Sequence, residues 1–300
     1  MTAADRRDLV GYGGTPPQIA WPDGKKVAVS FVVNFEEGGE FSIGDGDSRN
    51  EPVHEAISAQ SDTPDPCMES HFGYGTRAGW WRIMRVLERY GVRATVSSCG
   101  RAVERSPNLA RDAIRRGHEV SCHGWRWDEH ARMDEATERA VIARTYDTIA
   151  AVCGTAPVGW HTRSAASPNT RRLLVEHGGF LYDSDAYDDD LPYVVDVAGK
   201  AHLVMPYAFD TNDMRFRPGG AFVHAQEFAR YCIAAYDWLE KEAADAPRMM
   251  SIGLHLRTIG RPARIAGLDT ILATLTGRGT AWIAPRADIA RHFLDETRTP

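Results

Sequence analysis

The sequence predicts an α/β protein whose seven or eight parallel strands close into a barrel, with an open doubly wound sheet as the alternative. Three observations carry this. "KKVAVSFVVNF" is apolar at consecutive positions, so its strand is buried on both faces, as strands of parallel sheets are. Segments like it alternate regularly with amphipathic helical stretches. No linker-like change of composition divides the 300 residues, so one domain is expected over 1–300.

In order, residues 1–22 form a Gly- and Pro-rich N-terminal extension, and the first strand ends on the charged "EEGGE". Residues 40–70 are polar and aperiodic, a long loop of the kind that is usually functional or mobile. "AGWWRIMRVLERYG" is an amphipathic helix stopped by Gly91, and "RATVSSC" is the next strand. "SPNLARDAIRRG" is a short helix capped by Ser106, with Pro107 in its first turn. The strand "HEVSCHG" leads to a helix over 134–153, the strand "PVGWH" to the helix "SPNTRRLLVEHGG". Then come "HLVMPY", a helix around "AQEFARYCIAAYDWLEKEA", the strand "MMSIGLHL", a helix near 263–276, "TAWIAP" and a last helix.

Composition narrows the function. A net charge of −6 with scattered basic residues argues against a nucleic-acid or polyanion partner. No apolar run reaches the ~18 residues that span a bilayer. None of the 5 cysteines sits in a CxxC pair, which argues against a zinc knuckle or redox dithiol, and the odd count suits a reducing compartment. The N-terminus lacks the apolar core of a secretory signal. No Gly-rich nucleotide loop follows a strand. The expectation is a cytoplasmic enzyme with no membrane partner.

Ligands of parallel α/β folds bind beyond the carboxyl ends of the strands, so the polar residues found there are the candidates. They are Asn34, Glu36 and Glu37; His123, Trp125 and Trp127; His161, Thr162 and Arg163; Asp183 and Asp185; and His255 and Arg257. Each has a plainer reading. A glutamate after a strand is commonly a loop charge, and His255 between two leucines fits a satisfied core histidine. Asp188, Asp189 and Asp190 read mainly as turn chemistry, and Trp80 and Trp81 as helix packing. Two indoles on a turn beside a histidine suit a binding wall.

These residues lie in blocks with a family likeness. "VVNFEEGGE", "ESHFGYGTRAGWWRI", "HEVSCHGWRW", "SPNTRRLLVEHGGFLYDSDAYDDDLPY", "PYAFDTNDMRF" and "SIGLHLRTIGRPAR" resemble the polysaccharide-deacetylase superfamily, in its branch of cofactor-independent allantoinases and related cyclic imide hydrolases. The likeness covers nearly the whole chain. It implies a distorted (β/α) barrel, assembled as a homo-oligomer (dimer or tetramer), with the site at the top of the strands. Metal-dependent members carry an acidic base and an acidic ligand after the first strand, then two histidines four residues apart. By resemblance those positions are Asn34, Glu36, His123 and Trp127, so two of the four groups have changed. The allantoinases read Gly-Trp-Tyr-Thr-Gly-Arg where this chain has "GWHTRSAASPNT", with His161 for the tyrosine. In "ESHFGYGTRAG", His71 and Tyr74 belong to a block expected to face the ligand.

The tryptophan bears on the chemistry. Zinc lowers the pKa of its water from about 16 to roughly 7, help that an unactivated acetamide needs. Glu36 and His123 would be the ligands of any such divalent metal, but two groups are too few for a tight site, and an indole nitrogen only donates. No cofactor is therefore expected. A cyclic imide or ureide carries an activated carbonyl and a stabilised leaving nitrogen, so acid–base catalysis and an oxyanion site suffice. The expected substrate is a small cyclic amide such as succinimide, maleimide, hydantoin or allantoin. Glu36 and His123 would activate water and move protons, and His255 would orient or stabilise the tetrahedral oxygen. Asn34 and Arg257 would hold ring carbonyls, His161 and Arg163 would read the rest, and Trp127 would wall the ring. Glu37, Trp125 and Asp185 are further candidates for contact. The competing readings are a metal-dependent N-deacetylase, with His71, Glu37 or His130 as third ligand, and a binding barrel without activity.

Overall fold

Strand β1 (Val27–Phe35) is buried at every residue and is the axis of the sheet. It pairs in parallel with β2 (Thr95–Ser98), with β8 (Arg248–His255) along its length, and at its start with β9 (Ala281–Ile283). Beyond β2 come β3 (Glu119–Cys122), β4 (Gly159–Trp160), β5 (Tyr182–Asp183) and β7 (Lys200–Val204), all parallel. The chain is seen in a computed structural model that describes residues 7–52, 62–163, 165–216 and 219–298. Residues 1–6 of the expected extension and 53–61 of the expected long loop lie outside the described residues.

The helices are α1 (Pro66–Tyr74), α2 (Trp80–Arg89), α3 (Gly100–Arg105), α4 (Pro107–Arg115), α5 (Glu135–Cys153), α6 (Thr170–His177), α7 (Ala225–Glu242), α8 (Leu256–Ile259), α9 (Ile265–Arg278) and α10 (Arg286–Arg298). Most fall where the periodicity placed them, while α1, which begins inside the expected 40–70 loop, and the short α3 and α8 are additions. Asp65 caps α1 and Asp134 caps α5, each accepting a backbone N–H of the first turn. One widened turn, Gly75–Gly79, joins α1 to α2 without a break.

Two features depart from the expected barrel. First, the segment 193–204 is an antiparallel hairpin, β6 (Tyr193–Val197) with β7. Its two-residue turn, Ala198 and Gly199, has φ of +53° and +81°, the left-handed geometry that matches strand twist. Secondly, the hydrogen-bonded ladder does not close. The order β6-β7-β5-β4-β3-β2-β1-β8 leaves a gap between β7 and β8. The irregular stretch after β7 fills it with a single parallel bridge, Asn212 to Gly253, and with Thr211 Oγ1 donating to Ser251 O at 2.6 Å. The result is a curled, mostly parallel half-barrel wrapped by helices.

A buried side chain braces that gap. Arg286, the first residue of α10, is 2% exposed and reaches into the barrel. It donates to the hydroxyls of Ser30 on β1 (3.1 Å), Ser251 on β8 (2.6 Å) and Ser184 after β5 (3.1 Å). It also donates to the carbonyls of Met205 and Pro206, just past β7. One guanidinium thus ties both edges of the opening through neutral oxygens. Burial lowers its pKa, and the opposing pull of Tyr182, Tyr207, Glu119 and Asp183 only partly offsets the desolvation.

Candidate active site

At the carboxyl end of the strands lies a cavity of about 340 Å³. Asn34, Glu36, His123, Trp127, His161, Arg163, His255 and Arg257 line it, together with Phe72, Tyr187, Tyr207, Phe209 and Asn212. The first eight come from the ends of β1, β3, β4 and β8, where parallel strands release their side chains into one volume.

Glu36 is the electrostatic centre. It is 3% exposed, and burial alone would raise its pKa. His255, His123, Arg257 and Arg163 outweigh burial and hold the carboxyl well below its usual range. Arg257 Nη1 donates to Oε2 at 3.0 Å, while His123 Nε2 lies 3.3 Å and Arg163 Nε 3.9 Å from Oε1. The group is an anion fixed among cations.

The two histidines that face it are held by different devices. His123 Nδ1 lies 2.7 Å from the carbonyl of His161. A carbonyl only accepts, so Nδ1 carries the hydrogen and Nε2 is left toward Glu36. His255 Nδ1 lies 2.6 Å from Asp213 Oδ1, and Asp213 Oδ2 accepts the backbone N–H of His255 at 2.8 Å. Burial by itself would lower the His255 pKa, but Asp213 and Glu36 reverse the direction and raise it. His255 is therefore biased toward imidazolium, with Nε2 3.9 Å from Glu36. His161 goes the other way: burial, then His123 and Arg286, keep it neutral. Its ring packs 4.6 Å from Tyr207 and its Nε2 pairs with the Tyr187 hydroxyl at 3.2 Å.

Trp127 lines the cavity, but its face is not open. The Arg163 guanidinium sits 3.5 Å over the ring, Arg257 lies 5.0 Å from its centroid, and Phe72 meets it edge-on at 5.5 Å. A flat ligand beside Trp127 meets guanidinium as well as indole. The indole Nε1 is buried without an acceptor among the described residues.

Five expected contacts fall outside the cavity lining. Glu37 lies behind Glu36, under the backbone N–H of Arg257 (3.2 Å), in space that a side chain at Gly75 would occupy. Burial raises its pKa to about 7, against the opposing pull of Arg257. Trp125 turns outward, packing against Gly100 of α3 and under Arg144, whose guanidinium is 3.5 Å from the ring. His71 pairs with Arg261, and the Tyr74 hydroxyl accepts from Arg82 at 2.7 Å, which makes both part of the α1–α8 packing. Asp185 accepts the backbone N–H and hydroxyl of Thr162 at 2.7 and 2.6 Å, so it anchors the turn between His161 and Arg163.

Asp213, Tyr207 and Asn212 were not singled out from the sequence. They come from the irregular stretch after β7, and the block "PYAFDTNDMRF" is the sequence signal for them. Asn34 Nδ2 donates to Leu254 O (3.2 Å) and toward the Tyr207 hydroxyl (3.4 Å).

The donor set does not fit a divalent ion. Among the described residues no three His, Cys, Asp or Glu side chains converge as a metal requires. His130, considered as a third ligand, is bound to the buried Glu138 at 3.1 Å. The guanidiniums around Glu36 would oppose a cation there.

Comparison with known proteins agrees with this architecture. The polysaccharide deacetylase profile matches residues 60–181. A Schizosaccharomyces pombe (strain 972) protein named "Putative polysaccharide deacetylase" is 35% identical over 309 aligned residues, covering 96% of each chain. The crystal structure of a "probable Polysaccharide deacetylase" from Pseudomonas aeruginosa PAO1 superposes with a TM-score of 0.93 at 44% identity, covering 98% of this chain and 100% of that one. That of Puue Allantoinase gives 0.92 at 43% identity, covering 96% and 97%. With fold, strand-end site and full-length similarity in agreement, the chain belongs to the polysaccharide deacetylase family.

Proposed function

We propose that this hydrolase opens the C–N bond of a small cyclic amide, an imide or ureide, without a metal. The observation that carries the reading is the surroundings of Glu36: a carboxylate paired with Arg257 and faced by Arg163, whose guanidinium covers Trp127, the residue at the position of the second histidine in the metal-dependent pattern. The full-length likeness to a structure named an allantoinase supports the same class. The lost Lewis acid is replaced by the electrophilicity of the ring itself.

Water would donate to Glu36 Oε1 and His123 Nε2. Attack forms the C–O bond as His123 takes the proton, and Glu36 stabilises the imidazolium. The C–N bond breaks as His255, charged by its pairing with Asp213, protonates the leaving nitrogen. The released carboxylate lies within reach of Arg163 and Arg257. The expected setting is cytoplasmic and homo-oligomeric; no helix among the described residues is long and apolar enough to cross a membrane.

The test is a hydrolysis panel of succinimide, maleimide, hydantoin, dihydrouracil, allantoin and N-acetylglucosamine oligomers. Turnover of a ring amide with none of the acetamides is the expected result. Deacetylation without ring opening would instead favour the competing N-deacetylase reading, in line with the names of the yeast and Pseudomonas relatives.

A further inference from the structure

The phenol of Tyr207 has an unspent hydrogen. Asn34 and Asn212 both contact its oxygen, at 3.4 and 3.3 Å, and the polarity of both contacts is settled by backbone groups. Asn34 places its other contact on the carbonyl of Leu254, which only accepts, so the atom there is the amide nitrogen. Asn212 turns its oxygen to the backbone N–H of Met214 at 2.9 Å, which leaves its nitrogen for Tyr207. Tyr207 therefore accepts twice, and its O–H meets no acceptor among the described residues. Leaving such a donor unpaired in a buried position is costly.

The surrounding structure is shaped to keep it so. A side chain at Gly253, the β8 residue bridged to Asn212, would collide with the Tyr207 hydroxyl and the Asn212 amide. Two donors into one oxygen polarise its O–H and strengthen it as a donor. Burial pushes the phenol pKa up, so the group stays protonated. It lines the same cavity as Glu36, His123 and His255.

We infer that Tyr207 is a catalytic residue, the neutral donor to the oxyanion formed when water adds to the scissile carbonyl. As the C–O bond forms, the carbonyl π pair moves onto oxygen and accepts the Tyr207 hydrogen bond. When the pair returns, the C–N bond breaks and Tyr207 keeps its proton. This deepens the ring-opening reading and rests on it for the substrate class, while the donor role holds for any tetrahedral acyl intermediate.

The test compares wild type with Tyr207→Phe, which keeps the ring against His161. The expected result is a fall in kcat of about 10²–10³-fold with KM changed by less than about threefold. A phosphonate mimicking the tetrahedral adduct should lose affinity by a similar factor, while the planar ring-opened product binds as before and reports an intact fold. A ring-fluorinated tyrosine at 207, assayed below its ionisation, should bind the phosphonate more tightly. Unchanged kcat, or equal weakening of the planar and tetrahedral ligands, would overturn the assignment. If wild type cleaves an acetamide and no ring, the cyclic-amide reading falls and the same comparison on that acetamide decides the Tyr207 role. If wild type cleaves nothing, both fall.

Discussion

Two buried charges in one barrel are surrounded differently. Arg286, which enters the barrel from α10, spends its donors on three hydroxyls and two carbonyls, all neutral and all in place. Glu36 at the top lies among cations, beside a histidine with one nitrogen committed and, among the described residues, an indole N–H without an acceptor and a phenol with its hydrogen unspent. Both are costly to bury. The difference is completion: a satisfied charge braces the fold, and an incompletely satisfied cluster awaits a ligand.

Substitutions at the two sites should then fail differently. The largest effect is on turnover at the top: Glu36→Gln should lower kcat by about 10³-fold, within the range of general acid–base catalysis, measured on the best substrate of the panel. At the brace, Arg286→Met should instead reduce stability by about 3 kcal/mol or more in urea unfolding, since several hydroxyls and carbonyls lose a charged donor. Equal loss of stability from both would break the contrast.

Smaller effects sharpen it. Asp213→Asn removes the charge that raises the His255 pKa. The alkaline limb of the kcat/KM profile should move to lower pH, with a loss of about 10²-fold above neutrality. Glu37 gives a pH dependence of stability. Its pKa is about 7 when folded against a usual 4.5, so between those values the folded state holds more protons than the unfolded one. Stability should fall as pH rises through that window, and Glu37→Gln should flatten the slope in urea titrations at pH 5 and pH 7.

The strand ends were legible because a strand's last residues in a parallel sheet have one place to go. Asn34, Glu36, His123, His161, Arg163, His255 and Arg257 meet in one cavity for that reason. Neighbours on a turn were harder. Glu37 and Trp125 adjoin lining segments yet point away from the cavity, into room made by Gly75 and Gly100. Turns have no fixed two-residue alternation to predict this. Asp213 and Tyr207 are hidden for a different reason: Tyr207 closes the expected segment "HLVMPY" as an aromatic with no charge to mark it, Asp213 lies on the aperiodic stretch that follows, and the residues of β6 alternate between half-buried and exposed without an apolar run.

The most direct test of the central claim is turnover of a cyclic imide or ureide by protein stripped with chelator, set against its metal content by plasma emission. Undiminished turnover with far less than one metal per chain is the expected result. Activity that disappears with the metal and returns in proportion to a divalent ion, up to one per chain, would contradict it.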